Sequence, residues 1–350
     1  MISAGWPESF LPKPESPGPL NILLLQGGWS PERPVSLSSA SSAHQALDRL
    51  GHHVQTFDPP KDIDAIVNGI RGAFDGRGPD VVFNMLHGPD VEDGALQSIL
   101  YFLDIPFTFS DRFASHVAMR KDLSLHVAAS LGIPFPKGRV LPIQDYARQT
   151  DIDFPHVIKP LDEGSTFGIQ FVESKAQQEK ALASWSFGDR VLVEAYIPGR
   201  EIQVAALDGK AIGAVEIIFD QPIFDYKAKY EKGVAKHIIG PDVPPLVRQN
   251  LLTWTETIHN TLGCRGATRS DFRYNPALPP EKALFFLEIN TQPGMTDNSL
   301  VPEIAAKRGW SYDDVVAFLI ADALNAGKAS KGHVNRHANR HISRNTVLGT

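Results

Sequence analysis

Two polar side chains follow an apolar run late in the chain. Positions 283–286 are apolar, and Glu288 and Asn290 come next, two residues apart. Residues two apart on a strand face the same side, so a carboxylate and an amide oxygen can aim at one point before Pro293 and Gly294 bend the chain. Oxygen atoms of this kind suit a hard cation. The spacing therefore predicts a cation site where a strand ends.

Arg269 and Asp271 precede this run and extend the polar set. Asp271, Glu288 and Asn290 supply two carboxylates and an amide oxygen, which are ligands that Mg²⁺ prefers when nucleotide phosphates and water complete its shell. Arg269 would neutralise charge on a transferred phosphoryl group. The alternative is a buried ion pair between Arg269 and one of the carboxylates.

A lysine before a glycine-containing loop could bind phosphate. Lys159 ends a predicted strand, and the loop 161–168 that follows contains Gly164 and Gly168. Backbone N–H groups of such a loop can point at phosphate oxygens while the lysine adds a positive charge. The alternative is a surface lysine before a β-turn, and these residues alone leave both readings open.

The composition is that of a globular protein. The chain has 350 residues, of which 42% are hydrophobic and 21% charged, so it can form two or three packed domains. A net charge of -6 argues against nucleic acid as the main partner, because phosphate binding needs a basic surface. The sequence has no run of about eighteen apolar residues, so it predicts no membrane-spanning helix. A single cysteine, Cys264, fits a reducing compartment, and we expect a cytoplasmic protein.

The order of predicted elements divides the chain. After a Pro-rich leader, 1–20, alternating strands and helices over 21–118 predict a parallel sheet with polar loops at the strand ends. Short strands and helices over 119–200, and again over 201–326, predict two α+β subdomains. The tail, 327–350, has no apolar periodicity, and we expect it to be disordered.

Six motifs then occur in an order that resembles a known family. They are Gly-Gly-Trp-Ser-Pro-Glu-Arg, Leu-His-Gly, Met-Arg-Lys, Glu-Gly-Ser-Thr-Phe-Gly, Asp-Tyr-Lys-Ala-Lys-Tyr and Glu-Ile-Asn-Thr-Gln-Pro-Gly-Met-Thr. From Asn21 to about Asn325 the sequence resembles the D-alanine–D-alanine ligases of the ATP-grasp superfamily. The resemblance implies a mixed α/β and α+β architecture, in which a Rossmann-like parallel-sheet domain precedes an ATP-grasp fold. It also implies ATP-dependent joining of two D-alanines, through a D-alanyl phosphate, for peptidoglycan synthesis in the cell wall.

The resemblance assigns one set of residues to ATP and metal. Two magnesium ions, which manganese can replace, would be held by Asp271, Glu288 and Asn290. Lys121 and Lys159 would contact the phosphates, and the glycine loop would close over them. The other implied ATP contacts are Gly164, Ser165 and Thr166 in the loop, Glu194, Ala195, Tyr196 and Ile197 at the adenine, and Glu201 at the ribose.

A second set is assigned to the first D-alanine. Glu32 would hold its ammonium group, and His87 would line the same pocket. Ser165 and Tyr230 would complete a hydrogen-bonded triad with Glu32 that orders the loop and helps to deprotonate the attacking amine. Each has a simpler alternative: Glu32 in a solvated pair with Arg33, His87 as a turn residue and Tyr230 as a loop aromatic.

The remaining implied residues serve the second D-alanine and the transition state. Lys229 and Ser299 would bind its carboxylate, although Ser299 could instead be a helix N-cap. Arg269 and the backbone N–H of Gly294 would stabilise the tetrahedral oxyanion.

Several positions depart from the family's pattern. Lys227 stands where a glutamate is common in the family, and the segment 235–241 lacks the family's usual Thr and Pro-Ala. Both departures concern the loop that contains Lys229 and Tyr230. Gln292 and Thr166 replace common serines, and Arg120 replaces an aspartate before the phosphate lysine.

Three other functions could use some of these residues. The retained Lys229-Tyr230 pair favours an amine acceptor over D-lactate, while D-serine stays open. A nucleotide-binding protein without catalysis is the alternative of another class. A dinucleotide-dependent dehydrogenase is disfavoured because the glycines at 27–28 lack G-x-G-x-x-G spacing. Dimers are usual in the family, so we expect a homodimer, with neither nucleic acid nor membrane as a partner.

Overall fold

The structure is a computed structural model of the chain. Three residues with implied roles, Ser165, Lys229 and Tyr230, lie outside the residues that it describes. Those residues are 6, 11–15, 17–149, 151–164, 166–219, 235–296 and 299–345, the last without side chains from 329 onward.

The amino-terminal part is built around a parallel sheet, as the alternation of elements predicts. Its elements are β1 (Asn21–Leu25), α1 (Arg33–Arg49), β2 (His53–Phe57), α2 (Ile63–Gly72), β3 (Val81–Asn84), α3 (Ala95–Phe102) and α4 (Arg112–Met119). The strand order is β2-β1-β3, and both neighbours of β1 run parallel to it. Parallel strands end at one edge of a sheet, so the loops that carry Glu32 and His87 start side by side.

A four-stranded antiparallel sheet forms the central part. Its elements are α5 (Lys121–Ser130), β4 (Gly138–Pro142), α6 (Ile143–Tyr146), β5 (His156–Lys159), β6 (Gln170–Val172), α7 (Lys175–Ala183) and β7 (Arg190–Ala195). The order is β4-β7-β5-β6. Tyr146, Ile158 and Val191 belong to a small hydrophobic core of this part's own. All of β5 is buried, and the strand ends at Lys159 as predicted.

A five-stranded antiparallel sheet forms the third part. Its elements are β8 (Arg200–Leu207), β9 (Lys210–Ile218), β10 (Lys236–Ile239), α8 (Pro245–Leu262), β11 (Ala267–Tyr274), β12 (Leu284–Asn290), α9 (Leu300–Lys307) and α10 (Tyr312–Asn345). The order is β10-β9-β8-β11-β12, so β11 lies between β8 and β12. The expected α+β organisation is observed in both the second and the third parts.

The first and last parts of the chain share one hydrophobic core. Leu24 of β1 and Phe83 of β3 are fully buried in it, together with Val315, Leu319 and Ile320 of α10. These apolar residues of α10 recur at helical spacing and cover one face of the parallel sheet. The amino-terminal sheet is therefore completed by the last helix.

The leader also contacts the folded part. The ring of Trp6 is 3% exposed, and the carbonyl of Leu11 accepts a hydrogen bond from Trp310 Nε1 at 3.3 Å. Lys13 Nζ lies 2.8 Å from Asp314 Oδ2. The Pro-rich composition of the leader gave no indication of these contacts.

Helix α10 extends to Asn345, and the disorder expected from residue 327 stays a prediction. A Cβ at Gly327 would lie 2.9 Å from the ring of Pro106, so the helix is still packed where the tail begins. A helix already formed by its buried first half extends at little cost, which explains helical backbone without apolar periodicity. Among the helices described, none is long and apolar enough to cross a membrane. The domain bounds given above stay predictions.

Candidate functional site

Two cavities, each of about 650 Å³, meet beside strand β12. Glu288 lines both, so ligands bound side by side would meet at this carboxylate. The first lies between the two antiparallel sheets and is lined by Lys159, Thr166, Glu194, Ala195, Tyr196, Ile197, Glu201 and Asp271 among others. The second lies against the amino-terminal part and is lined by Glu32, His87, Lys121, Gly164, Arg269, Asn290 and Gly294 among others.

The polar residues between the cavities form one face of three neighbouring strands. On β11 and β12, Asp271 lies opposite Glu288, and Arg269 lies opposite Asn290. Glu288 and Asn290 thus share a face, as their spacing predicts. The register shifts between Asp271 and Phe272, so Leu287 is the extra residue of a β-bulge, and it lines the first cavity. Bulges of this kind are common beside active sites.

Arg269 forms a bidentate ion pair with Asp271. Arg269 Nε lies 2.7 Å from Asp271 Oδ1, and Nη2 lies 2.9 Å from Oδ2. Gln203 Nε2 donates to Asp271 Oδ2 at 3.3 Å and to Glu201 Oε1 at 3.2 Å. The ion pair that was the alternative to a metal site therefore exists, but its carboxylate is that of Asp271. Glu288 and Asn290 present two further side-chain oxygens on the same face.

The three side-chain oxygen ligands suit magnesium, which keeps water in its shell, better than a metal whose ligands all come from the protein. Among the described residues, no cluster of three or more His, Cys, Asp or Glu side chains could hold a metal. Asp271, Glu288 and the amide of Asn290 provide hard oxygen atoms and need further ligands. Magnesium usually keeps water and takes phosphate oxygens beside one or two carboxylates, which is the situation that this incomplete set allows.

Two buried lysines place positive charge near Glu288. Lys121 Nζ donates to the carbonyl of Glu163 at 2.6 Å and lies 3.7 Å from Glu288 Oε2. Lys159 Nζ lies 2.6 Å from Glu194 Oε2. Burial lowers the pKa of Lys159, but nearby carboxylates, Glu194 first, outweigh burial and raise it. Both lysines are therefore buried cations at the junction, which excludes the surface-lysine alternative for Lys159.

Arg273 lines the first cavity and binds the segment that follows β7. Its Nε donates to the carbonyl of Ile197 at 3.1 Å, and its Nη2 donates to the carbonyl of Gly199 at 3.0 Å. Its Nη1 lies 3.7 Å from Glu201 Oε2. One guanidinium thus fixes the segment after β7 against β8, where the planar face of a base could lie.

Glu32 and the glycine loop approach each other in the second cavity. Glu32 is 5% exposed, and a Cβ added to Gly164 would lie 3.1 Å from its Oε2. Arg33 is occupied elsewhere, since its Nη1 donates to Asp58 Oδ1 at 2.9 Å. A solvated Glu32–Arg33 pair is therefore excluded, and the Glu32 carboxylate faces the cavity.

His87 forms a buried pair with Glu92. His87 Nδ1 lies 2.5 Å from Glu92 Oε1, and both side chains are almost fully buried. Burial lowers the pKa of His87, but the carboxylates of Glu92 and Glu32 outweigh burial and raise it. The buried His87 Nε2 has no hydrogen-bond partner among the described residues. His87 is therefore more than a turn residue, because Glu92 orients its ring and leaves Nε2 for a ligand.

Comparison with known proteins identifies the family. A family model described as D-ala D-ala ligase C-terminus matches residues 129–321. A D-alanine–D-alanine ligase of Agrobacterium fabrum is 42% identical over 310 residues, which cover 87% of this chain and 98% of the relative. A ligase of the same name from Chelativorans sp. is 40% identical over 307 residues, covering 87% and 97%. The chain belongs to the D-alanine–D-alanine ligase family.

Solved ligase structures have the same fold. The D-alanine–D-alanine ligase of Coxiella burnetii superposes with a TM-score of 0.77 at 24% identity, covering 93% of this chain and 99% of that one. The Bacillus anthracis ligase complexed with ATP gives a TM-score of 0.73 at 23% identity, covering 89% and 99%. The expected ATP-grasp architecture behind a parallel-sheet domain is thereby confirmed.

In this D-alanine–D-alanine ligase, Ser299 lies at the start of α9 and contacts the preceding turn. Ser299 occupies the N-cap of α9, but its hydroxyl makes no capping bond. Instead Oγ accepts a hydrogen bond from the backbone N–H of Thr296 at 2.9 Å and lies 3.1 Å from where a Cβ of Gly294 would be. The hydroxyl is thus directed at the turn that borders the second cavity.

Four polar residues of the site were missed by sequence reasoning. Arg273 and Gln203 continue the alternation begun by Asp271 and Glu201, so counting further along each strand would have found them. Gln292 carries no such pattern, because its partners Asn84 and Leu86 come from another loop, more than two hundred residues away. Glu92 lies only five residues from its partner His87, in the same loop, but no regular spacing indicates that pair.

Proposed function

We propose that this ligase joins two D-alanines into D-alanyl-D-alanine for peptidoglycan precursors, with cleavage of ATP to ADP and phosphate. The observation that carries the proposal is the meeting of two cavities at Glu288. One has a lining suited to a nucleotide, and the other presents a buried carboxylate, Glu32, for an ammonium group. Because the reaction consumes ATP, we also propose a cytoplasmic location.

ATP would occupy the first cavity with its phosphates towards Lys121 and Lys159. Asp271, Glu288 and Asn290 would hold magnesium, which stabilises negative charge on the transferred phosphoryl group when bound. The remaining proposed ATP contacts are Gly164, Ser165 and Thr166 of the loop, Glu194, Ala195, Tyr196 and Ile197 around the base, and Glu201 at the ribose.

The first half-reaction activates a carboxylate. Glu32 would hold the ammonium of the first D-alanine, and His87 Nε2 would donate to its carboxylate. A carboxylate oxygen attacks the γ-phosphorus and ADP leaves, giving an acyl phosphate. This step is necessary because a free carboxylate has no good leaving group.

The second half-reaction forms the peptide bond. Lys229 and Ser299 would bind the carboxylate of the second D-alanine, and Tyr230 with Ser165 and Glu32 would help to remove a proton from its amine. The amine attacks the acyl carbon, and phosphate leaves. Arg269 and the Gly294 N–H would stabilise the intermediate oxyanion.

A coupled assay of ADP release tests the reaction. With ATP and magnesium, D-alanine should support turnover, whereas L-alanine should not. D-serine and D-lactate test the acceptor when supplied with limiting D-alanine, and product mass identifies a mixed product. The D-serine comparison is pertinent because the VanG D-Ala:D-Ser ligase of Enterococcus faecalis has the same fold, with a TM-score of 0.73 at 25% identity. Equal turnover with both alanine enantiomers, or none with either, would overturn the proposal.

We further propose a homodimer, supported by an exposed aromatic patch. Phe102 is 83% exposed, and its ring centroid lies 5.8 Å from that of Tyr101. The Arg112 guanidinium lies 3.8 Å from the Tyr101 ring centroid and 4.4 Å from that of Phe113, which is 67% exposed. Large apolar side chains gathered at the surface often mark an interface.

Phe102→Glu should weaken the dimer by about tenfold or more, because it places a charge in the apolar contact. Sedimentation velocity over a concentration series measures this. Ile63→Glu, a change at another exposed apolar side chain, is the matched control and should leave the mass unchanged. A monomeric parent, or a Phe102→Glu dimer as tight as the parent, contradicts this interface.

A further inference from the structure

Gln292 connects two parts of the site through its side chain. It is 1% exposed, and its Oε1 accepts a hydrogen bond from Asn84 Nδ2 at 2.9 Å. Its Nε2 donates to the carbonyl of Leu86. Asn84 ends β3, and Leu86 directly precedes His87. The side chain thus holds the loop that carries His87.

The backbone of Gln292 contacts the proposed magnesium site. Its N–H donates to the Oδ1 of Asn290 at 2.8 Å, which fixes the amide of a proposed magnesium ligand. One residue therefore contacts Asn290 through its main chain and the His87 loop through its side chain. These two parts belong to different sheets and are more than two hundred residues apart in sequence.

The polar groups around this contact are well satisfied. Asn84 Oδ1 accepts from the N–H of Leu86 at 3.1 Å, and Nδ2 also approaches the carbonyl of Val91 at 3.4 Å. The N–H of Asn84 bonds Thr108 Oγ1 at 3.0 Å. A satisfied buried network has a defined geometry, because any shift would leave polar groups without partners.

We propose that Asn84 and Gln292 are positioning residues that set the separation between the first D-alanine pocket and the magnesium site. We call this pair the amide clasp. The inference rests on the proposed function, in which a D-alanine carboxylate held beside His87 must meet a phosphoryl group held beside Asn290. A misplacement of about 1 Å between such groups can cost roughly 100-fold in rate.

Gln292→Met tests the clasp, since it keeps the length of the side chain and removes both amide bonds. We expect kcat/KM for D-alanine to fall about 10- to 100-fold, while the Kd for ATP changes by less than about twofold. In the absence of nucleotide and metal, the Kd for D-alanine from calorimetry should rise about tenfold. This second measurement does not depend on turnover.

Gln178→Met is the matched control. Gln178 is also 1% exposed, donates to a backbone carbonyl, that of Tyr146 at 2.7 Å, and accepts from Lys175 Nζ at 2.8 Å, but it lies in the central part. Both variants should lower the melting temperature by a similar amount. Only Gln292→Met should change D-alanine binding and kcat/KM.

Asn84→Ala provides a second variant and remains the test if Gln292→Met does not fold. The double variant should lose no more kcat/KM than the worse single variant, because both changes break the same contact. Folded variants with parental kcat/KM and D-alanine affinity, or an equal loss in Gln178→Met, overturn the clasp. A parent chain that releases no ADP with D-alanine overturns the proposed function instead, so the two failures are distinguishable.

Discussion

Glu288→Gln should lower turnover by about 100-fold or more and raise the magnesium concentration needed for half-maximal rate. The change keeps the shape of the side chain and removes one negative charge from the face that Glu288 shares with Asn290. The fold should persist, since Arg269 keeps its bidentate pair with Asp271. Asp271, directly opposite, repels the Glu288 carboxylate, while Lys121 Nζ, 3.7 Å away, attracts it, so we expect the metal-free variant to melt close to the parental temperature.

Magnesium titrations of rate, beside thermal melts without metal, measure both effects. Glu303→Gln is a suitable control, because the Glu303 side chain is 30% exposed, close to the 24% of Glu288, and faces His237 outside both cavities. If Glu288 were a structural ion-pair partner, stability would fall by about 3 to 5 kcal/mol with no change in the magnesium requirement. An unaltered magnesium dependence would falsify its assignment as a ligand.

Lys159→Met should abolish most turnover and also destabilise the protein. The phosphates of ATP would lose a buried cation, which we expect to cost about 100-fold or more in rate. Glu194 would be left as a buried carboxylate without the lysine 2.6 Å away, at a cost of about 3 to 5 kcal/mol. Chemical denaturation and steady-state kinetics measure the two losses separately.

A double variant separates the two roles of Lys159. Adding Glu194→Gln removes the stranded charge, so Lys159→Met/Glu194→Gln should regain most of the lost stability. Turnover should stay low, because the phosphate contact is still missing. Recovery of rate together with stability would show that Lys159 acts only through Glu194 and does not meet the nucleotide.

Local patterns account for what was predicted correctly. Period-two spacing placed Glu288 and Asn290 on one face, and alternating strands and helices predicted the parallel sheet. The spacing and the alternation can both be read from the order of residue types along the chain. The assignment of Asp271, Glu288 and Asn290 to magnesium, and of Lys121 and Lys159 to phosphate, stays a prediction.

Contacts between residues that are distant in sequence account for what was missed. Gln292 was noted only as a replacement for serine, and nothing near it in sequence indicates its bonds to Leu86 and Asn84. The partner of Arg33 is Asp58 rather than its neighbour Glu32. Such pairings depend on how loops that are distant in sequence meet in the fold, which a single sequence does not show.

The core shared by the first sheet and the last helix has a consequence for synthesis of the chain. Leu24 emerges from the ribosome about 300 residues before Leu319 and Ile320, a delay of roughly 15 to 60 s at usual elongation rates. During that time one face of the parallel sheet lacks the helix that covers it in the finished molecule. The amino-terminal part therefore cannot complete its core until α10 has been synthesised, and the apolar side chains that α10 covers stay exposed until then.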